Sequence, residues 1–129
     1  MRCLIVDDSP EFVAAAQSLL ERDGITVVGV ASTSADALRR FHELRPDVTL
    51  VDIDLGGESG FELAEKLDGA RDSARSSVIL VSTHAEQDFA DMIASSSPAV
   101  GFLPKSGLTT DAIRQLVLRS AGLEESDHR

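Results

Sequence analysis

Val48-Thr49-Leu50-Val51-Asp52-Ile53-Asp54-Leu55-Gly56-Gly57 reads as a buried strand that runs into a carboxylate and then into a glycine-rich turn. An apolar, β-branched run entered from Pro46 and left through two glycines is a strand signal. A carboxylate at the edge of a hydrophobic core costs free energy unless a cation or hydrogen-bond donors compensate it. In open α/β sheets the carboxyl ends of the strands are where ligands and chemistry gather. Asp52 is therefore the residue against which the other segments are read.

Upstream, Arg2 to Val6 is a short apolar strand that ends at Asp7-Asp8. Ser9-Pro10 marks a helix start, with Ser9 as N-cap and Pro10 at the first helical position. Phe12, Val13, Ala16, Leu19 and Leu20 recur at helical spacing, and Gly24 closes that helix. Ile25 to Ala31 is a second strand. Ser32 to Ser34 caps a second helix, with Ala35, Ala37, Leu38 and Phe41 predicted to face inward, and Pro46 stops it. Downstream, Gly60 to Leu67 is a short amphipathic helix with Phe61, Ala64 and Leu67 inward, and Asp68 to Ser77 is a loop. Val78 to Val81 is a fourth strand ending at Ser82-Thr83. Ala85 to Ala94 is a weaker helix, broken by Ser95-Ser96-Ser97-Pro98, and Ala99 to Leu103 is a fifth strand. The last helix starts near Thr109-Thr110 and ends at Gly122, so residues 1–122 are expected to form one domain and 123–129 a charged, frayed tail.

Strands alternating with helices predict an α/β fold: a doubly wound, five-stranded parallel sheet covered on both faces. Strand order 2-1-3-4-5, the flavodoxin-like solution, puts the topological switch between strands 1 and 3. That order brings Asp7 and Asp8 beside Asp52, with Ser82 and Lys105 on the same edge.

At 129 residues and 43% hydrophobic, the chain suits one domain with a single contiguous core. It has no run of about 18 apolar residues and no signal-peptide pattern, so no membrane insertion is expected. The lone Cys3 excludes an internal disulfide framework and fits a reducing cytoplasm, where it packs as a small hydrophobe. A net charge of −10, no Trp or Tyr and five Phe argue against direct nucleic-acid binding, which wants a basic face and stacking platforms. His42, His84 and His128 have no metal-ligand spacing.

Converging carboxylates repel one another at neutral pH. One reading is a solvated acidic rim, or N-caps for the following helices. The sharper reading is a site for Mg²⁺, which is held by one or two carboxylates with waters and phosphate oxygens. Lys105 adds a mobile point charge for a phosphate, and Ser82 a hydroxyl able to bond a phosphoryl oxygen. Taken singly they are a surface lysine and a turn cap. Together these are the parts of phosphoryl transfer: nucleophile, metal and charge clamp.

Ile5-Val6-Asp7-Asp8-Ser9, Val51-Asp52-Ile53-Asp54, Val81-Ser82-Thr83 and Phe102-Leu103-Pro104-Lys105, in this order at these strand ends, make the chain resemble a response-regulator receiver domain of two-component signalling. The resemblance implies that Asp52 is the phosphoacceptor, taking a phosphoryl group from a sensor histidine kinase or phosphotransfer protein. It implies that Asp8 binds Mg²⁺ directly, Asp7 largely through water, and Asp54 through its backbone carbonyl. Ser82 matches the family's switch hydroxyl, with Thr83 beside it; Lys105 matches its phosphate-binding lysine, and Phe102 its switch aromatic, which turns inward on activation. Phosphorylation would then change the face of the fourth helix, fifth strand and fifth helix that binds a protein output partner, with a phosphorylation-dependent dimer on that face as an analogy. The chain would accept a phosphoryl group and lose it again rather than turn over a substrate.

The chain departs from the family pattern in places. Ser106 follows Lys105 where the family commonly has a cis proline, so no cis Lys-Pro bond is expected. The Leu55-to-Gly60 turn lacks the usual proline and is expected to be more mobile. Asp54 and His84 fall at the two positions that border the attacking water in this family, and Phe102 lacks the hydroxyl of a tyrosine. The tail is too short for a DNA-binding output domain, leaving a stand-alone receiver or part of a longer regulator. Two rivals are a receiver-like module that acts without phosphorylation and a small phosphatase built on Asp52-Ile53-Asp54. The second needs further acidic residues late in the chain, whereas here the acidic pair comes first. A flavin-binding reading is poorer still, because an acidic first loop would repel the phosphate.

Overall fold

Alternation within the strands determines how this chain layers. In β1 (Arg2–Val6), Cys3 and Ile5 point to one side of the sheet and Leu4 and Val6 to the other, as the period of two requires. The computed structural model describes residues 1–70, 77–83 and 101–126. Besides β1 the main sheet contains β2 (Thr26–Ala31), β3 (Val48–Asp52), β6 (Ser77–Ser82) and β7 (Gly101–Pro104). Its order is β2-β1-β3-β6-β7, with every pair parallel. The two short strands β4 (Asp54–Leu55) and β5 (Glu58–Ser59) form a separate antiparallel hairpin. With that hairpin set aside, the order is the expected 2-1-3-4-5.

Both faces are covered. On one, Leu4, Val6, Val51, Leu80 and Phe102 pack against Ala37 and Phe41 of α2 (Ser34–Leu44) and Leu63, Ala64 and Leu67 of α3 (Gly60–Ala70). On the other, Cys3, Ile5, Leu50, Ile79 and Val81 pack against Ala16 and Leu20 of α1 (Pro10–Arg22) and Ile113 of the C-terminal helix (Thr110–Ser126). Each buried leucine or isoleucine stabilises the fold by about 1.5–3 kcal/mol. Burial also pushes the Cys3 thiol up to about 12, so it stays protonated, as a packing residue should.

Local chemistry starts and stops these helices. Ser9 Oγ accepts from Phe12 N with Pro10 in the first turn, as expected. Thr33 caps α2, its Oγ1 accepting from Asp36 N at 3.2 Å, and Arg45 closes that helix in the left-handed region at φ 48°. The C-terminal helix is tied to the end of α1: Thr110 Oγ1 donates to Asp23 Oδ2 at 2.8 Å, and Arg114 Nη2 donates to the Asp23 carbonyl at 2.9 Å.

Several expectations are corrected. Ala35 is exposed, because it lies about 200° around the helix from Ala37 and so off the Ala37–Phe41 stripe. Leu63 joins the inward face of α3, and Phe61 is only partly buried. The α3 helix runs on to Ala70, through residues read as loop. The last helix does not end at Gly122 but continues to Ser126, since a glycine costs a helix only about 1 kcal/mol and good helix formers follow it. The stretch after Asp52, read as a mobile glycine turn, is the β4–β5 hairpin. Gly56 and Gly57, at φ 59° and 104°, supply its two left-handed central residues. No peptide bond among the described residues is cis. The helix read at Ala85 to Ala94, residue His84 and the start of the fifth strand at Ala99 lie outside the described residues.

Candidate functional site

Two aspartates at adjacent strand ends fold their own loops in the same way. Asp7 follows β1 and Asp52 ends β3, and the two strands are paired neighbours. Asp7 Oδ1 accepts from Ser9 N at 2.8 Å, and Asp52 Oδ1 accepts from Asp54 N at 3.1 Å. Each is a turn in which the side chain satisfies the amide two residues ahead. The second oxygens are thereby left for a shared partner. Lys105 Nζ lies 2.7 Å from Asp7 Oδ2 and 3.2 Å from Asp52 Oδ2. Both carboxylates are buried, whereas Asp8 is exposed at the rim.

Lys105 opens the 3-10 turn Lys105–Gly107 after β7 and sits 4.5 Å from the centroid of the Phe12 ring. An ammonium over an aromatic face is attracted by the ring's negative quadrupole. Phe12 was legible only as a core residue of α1. Its second role depends on the first turn of α1 standing beside β7's exit, which periodicity does not reveal. Gly60 supplies the other unforeseen support. A Cβ there would lie 2.2 Å from the Asp52 carbonyl oxygen, so the start of α3 can press on the strand end only as glycine.

The electrostatics follow from this crowding. Burial raises the Asp52 carboxyl above its ordinary value and the Asp7 charge adds to the rise, with the Asp54 amide and Lys105 opposing them. For Lys105, burial pulls the other way, but the close Asp7 carboxylate and the Asp52 charge outweigh it and leave the ammonium raised. The site is a single cation held between two partly desolvated anions, with a third anion at its mouth.

That arrangement fits a hard divalent cation. One carboxylate oxygen each from Asp7, Asp8 and Asp52 lie within 4.8 Å of one another. Asp7 Oδ2, fully buried, has the ammonium beside it but no donor aligned for a hydrogen bond. An oxygen of that kind suits an oxygen-coordinated ion such as Mg²⁺.

The remaining expected residues stand around this centre. Asp54 contacts Asp52 through its backbone amide and exposes its side chain. Ser82 is buried at the end of β6, one residue beyond Val81, the register partner of Asp52; Thr83 is exposed. Phe102 is not at the centre. It is packed inward against the α2 and α3 side of the sheet, opposite Leu80 in register.

The response regulator receiver domain family matches residues 3–117. The chain is 28% identical over 105 residues to a protein described as the DNA-binding transcriptional activator EvgA of Escherichia coli K12, covering 81% of this chain and 50% of that one. It is 29% identical over 123 residues to the response regulator GacA of Pseudomonas viridiflava, covering 95% of this chain and 56% of that one. It thus spans about half the length of these curated relatives. Among solved structures, a LuxR-family two-component response regulator from Aurantimonas sp. SI85-9A1 superposes with a TM-score of 0.76 at 28% identity, over 94% of this chain and 85% of that one. DNA binding is a description of EvgA. The acidic balance expected to disfavour nucleic acid is that of these 129 residues alone.

Proposed function

Because this chain belongs to the response-regulator receiver family, we propose that it is a phosphoacceptor switch in which Asp52 is phosphorylated. The observation that carries the reading is the pair of buried carboxylates, Asp7 and Asp52, each turning one oxygen to Lys105 with Asp8 in reach. The donor is a phosphohistidine on a sensor histidine kinase or phosphotransfer protein. An Asp52 oxygen forms the new P–O bond as the P–N bond breaks, and the donor histidine nitrogen takes a proton from water. Asp7, Asp8, Asp52 and the Asp54 carbonyl would hold Mg²⁺, which would supply charge neutralisation for the incoming phosphoryl group. Lys105 exchanges its contact with Asp52 for a phosphoryl oxygen while keeping Asp7, so it stays paired throughout. The Ser82 hydroxyl donates to another phosphoryl oxygen, and Thr83 moves with it.

Phe102 carries the change through β7, the edge strand, to the C-terminal helix, where a protein output partner, or a second phosphorylated copy, binds. Its ring is already buried, so an outward state differs from the conformation described above. The phosphoryl group is lost by hydrolysis, with Asp54 flanking the water. The receiver unit expected at residues 1–122 extends with its last helix to Ser126, and it acts in the cytoplasm. No helix among the described residues is long and apolar enough to cross a membrane.

Incubation with Mg²⁺ and acetyl phosphate, followed by intact-mass measurement, tests this. The wild type is expected to gain one phosphoryl group and Asp52→Asn none. An unmodified wild type would sink the reading in favour of an interaction module that acts without phosphorylation. Sustained hydrolysis of a small phosphate ester would favour the phosphatase.

A further inference from the structure

Glu58 stands outside the acidic cluster but braces the loop that shapes it. Its Oε1 accepts from Ser34 N at 2.9 Å, across 24 residues of sequence. Ser34 is the first residue of α2, where amides have no intrahelical acceptor and the helix dipole favours negative charge. Thr33 satisfies the Asp36 amide, and Glu58 completes the cap from another element.

The hairpin that carries Glu58 touches the site at two points. In its register Glu58 faces Leu55 and Ser59 faces Asp54, whose amide donates to Asp52 Oδ1. At its turn, a Cβ on Gly56 would stand 2.8 Å from Asp8 Oδ2, so the turn lies directly against that carboxylate. The hairpin has its base on Asp52, its tip on Asp8 and its flank on α2.

We propose that Glu58 is a positioning residue for the cation site. By anchoring the hairpin on α2, it sets the Asp54 carbonyl and the Asp8 carboxylate in relation to Asp7 and Asp52. Coupling between sites is reciprocal, so an ion bound in the cluster steadies the first turn of α2. This rests on the reading that the cluster takes Mg²⁺.

Calorimetric Mg²⁺ titration and hydrogen exchange at the Ser34 amide, on wild type, Glu58→Ala and Glu58→Gln, test it. Groups that hold a metal ligand directly are worth 10–100-fold in affinity, so this more remote brace is expected to cost about threefold to tenfold in Glu58→Ala. Glutamine keeps the acceptor and is expected to bind within about twofold of wild type, since the lost charge acts only through screened solvent. Mg²⁺ should slow exchange at Ser34 in wild type and Glu58→Gln but not in Glu58→Ala. If glutamine loses as much affinity as alanine, the carboxylate acts by its charge and the bracing role is overturned. Equal binding by all three also overturns it while leaving the metal reading intact. A wild type that takes no Mg²⁺ overturns both.

Discussion

At Asp7 and Asp52 the two oxygens of each carboxylate have different duties. Oδ1 builds the local turn, and Oδ2 faces the ammonium. This is why Asp52 can be buried and ionised, and it also sets a sign. A carboxyl whose pKa is raised in the folded chain contributes stability that is present below its unfolded value and lost as pH rises through the folded value. Once ionised, Asp52 therefore costs stability in the metal-free protein. Lys105 behaves differently: its raised pKa keeps its contribution intact through neutrality, to be lost only at alkaline pH. Asp52→Asn leaves Lys105 paired with Asp7. It is expected to stabilise the metal-free protein by about 0.5–2 kcal/mol near pH 7, the usual gain when a functional strain is released. Urea denaturation should show that gap closing as the pH is lowered into the ordinary carboxylate range. A mutant less stable than wild type at pH 7 would contradict it. The four charges at the centre were legible in the sequence, because topology alone brings Asp7, Asp8, Asp52 and Lys105 to one edge. Phe12 was not, since its contact with Lys105 depends on how the first turn of α1 tilts.

Among the elements, the hairpin and the start of α3 are the tightest fit. Gly60→Ala would force a Cβ against the Asp52 carbonyl at 2.2 Å, with backbone on both sides of the clash. It is expected to cost about 3 kcal/mol or more in chemical denaturation, in the range of severe backbone substitutions. Gly69→Ala, in the same helix with open space around the new methyl, should instead gain up to about 1 kcal/mol. Equal effects at the two glycines would show that the contact at Gly60 does not constrain the helix. The strand β1 and the start of α1 were legible to the residue, because Ser9-Pro10 is local punctuation with a physical cause. The hairpin was not: Gly56-Gly57 announced a turn, but the Ser34 amide that Glu58 accepts from lies 24 residues away, beyond the reach of a local pattern. The ends of α3 and of the last helix were misread for the opposite reason. The polar, aperiodic stretch from Asp68 and the glycine at 122 were outvoted by the helices that run into them.

For the whole molecule, the proposed reading has the Asp7, Asp8 and Asp52 cluster at the sheet's edge take a divalent cation, which a net charge of −10 favours. An ion that binds only the folded chain raises the unfolding free energy by about 2.7 kcal/mol at one hundred times its dissociation constant. Thermal unfolding with Mg²⁺ against EDTA is expected to show that rise in wild type and to lose most of it in Asp8→Asn. An equal rise in both would place the ion elsewhere.

The sheet separates two sets of side chains. Asp7 and Asp52 share the strand parity of the residues facing α1, whereas Ser82 and Phe102 share that of the residues facing α2 and α3. On the proposed reading, the phosphoryl group is taken up at Asp52, on the α1 side of the sheet, and is sensed from the other side by Ser82 and Phe102. The two can then drift independently under selection. Substitutions around α1 can retune which donor is accepted and how quickly, while the packing around Phe102 keeps the same message, or the reverse. A lineage that duplicates such a chain could exchange its input without rewriting its output.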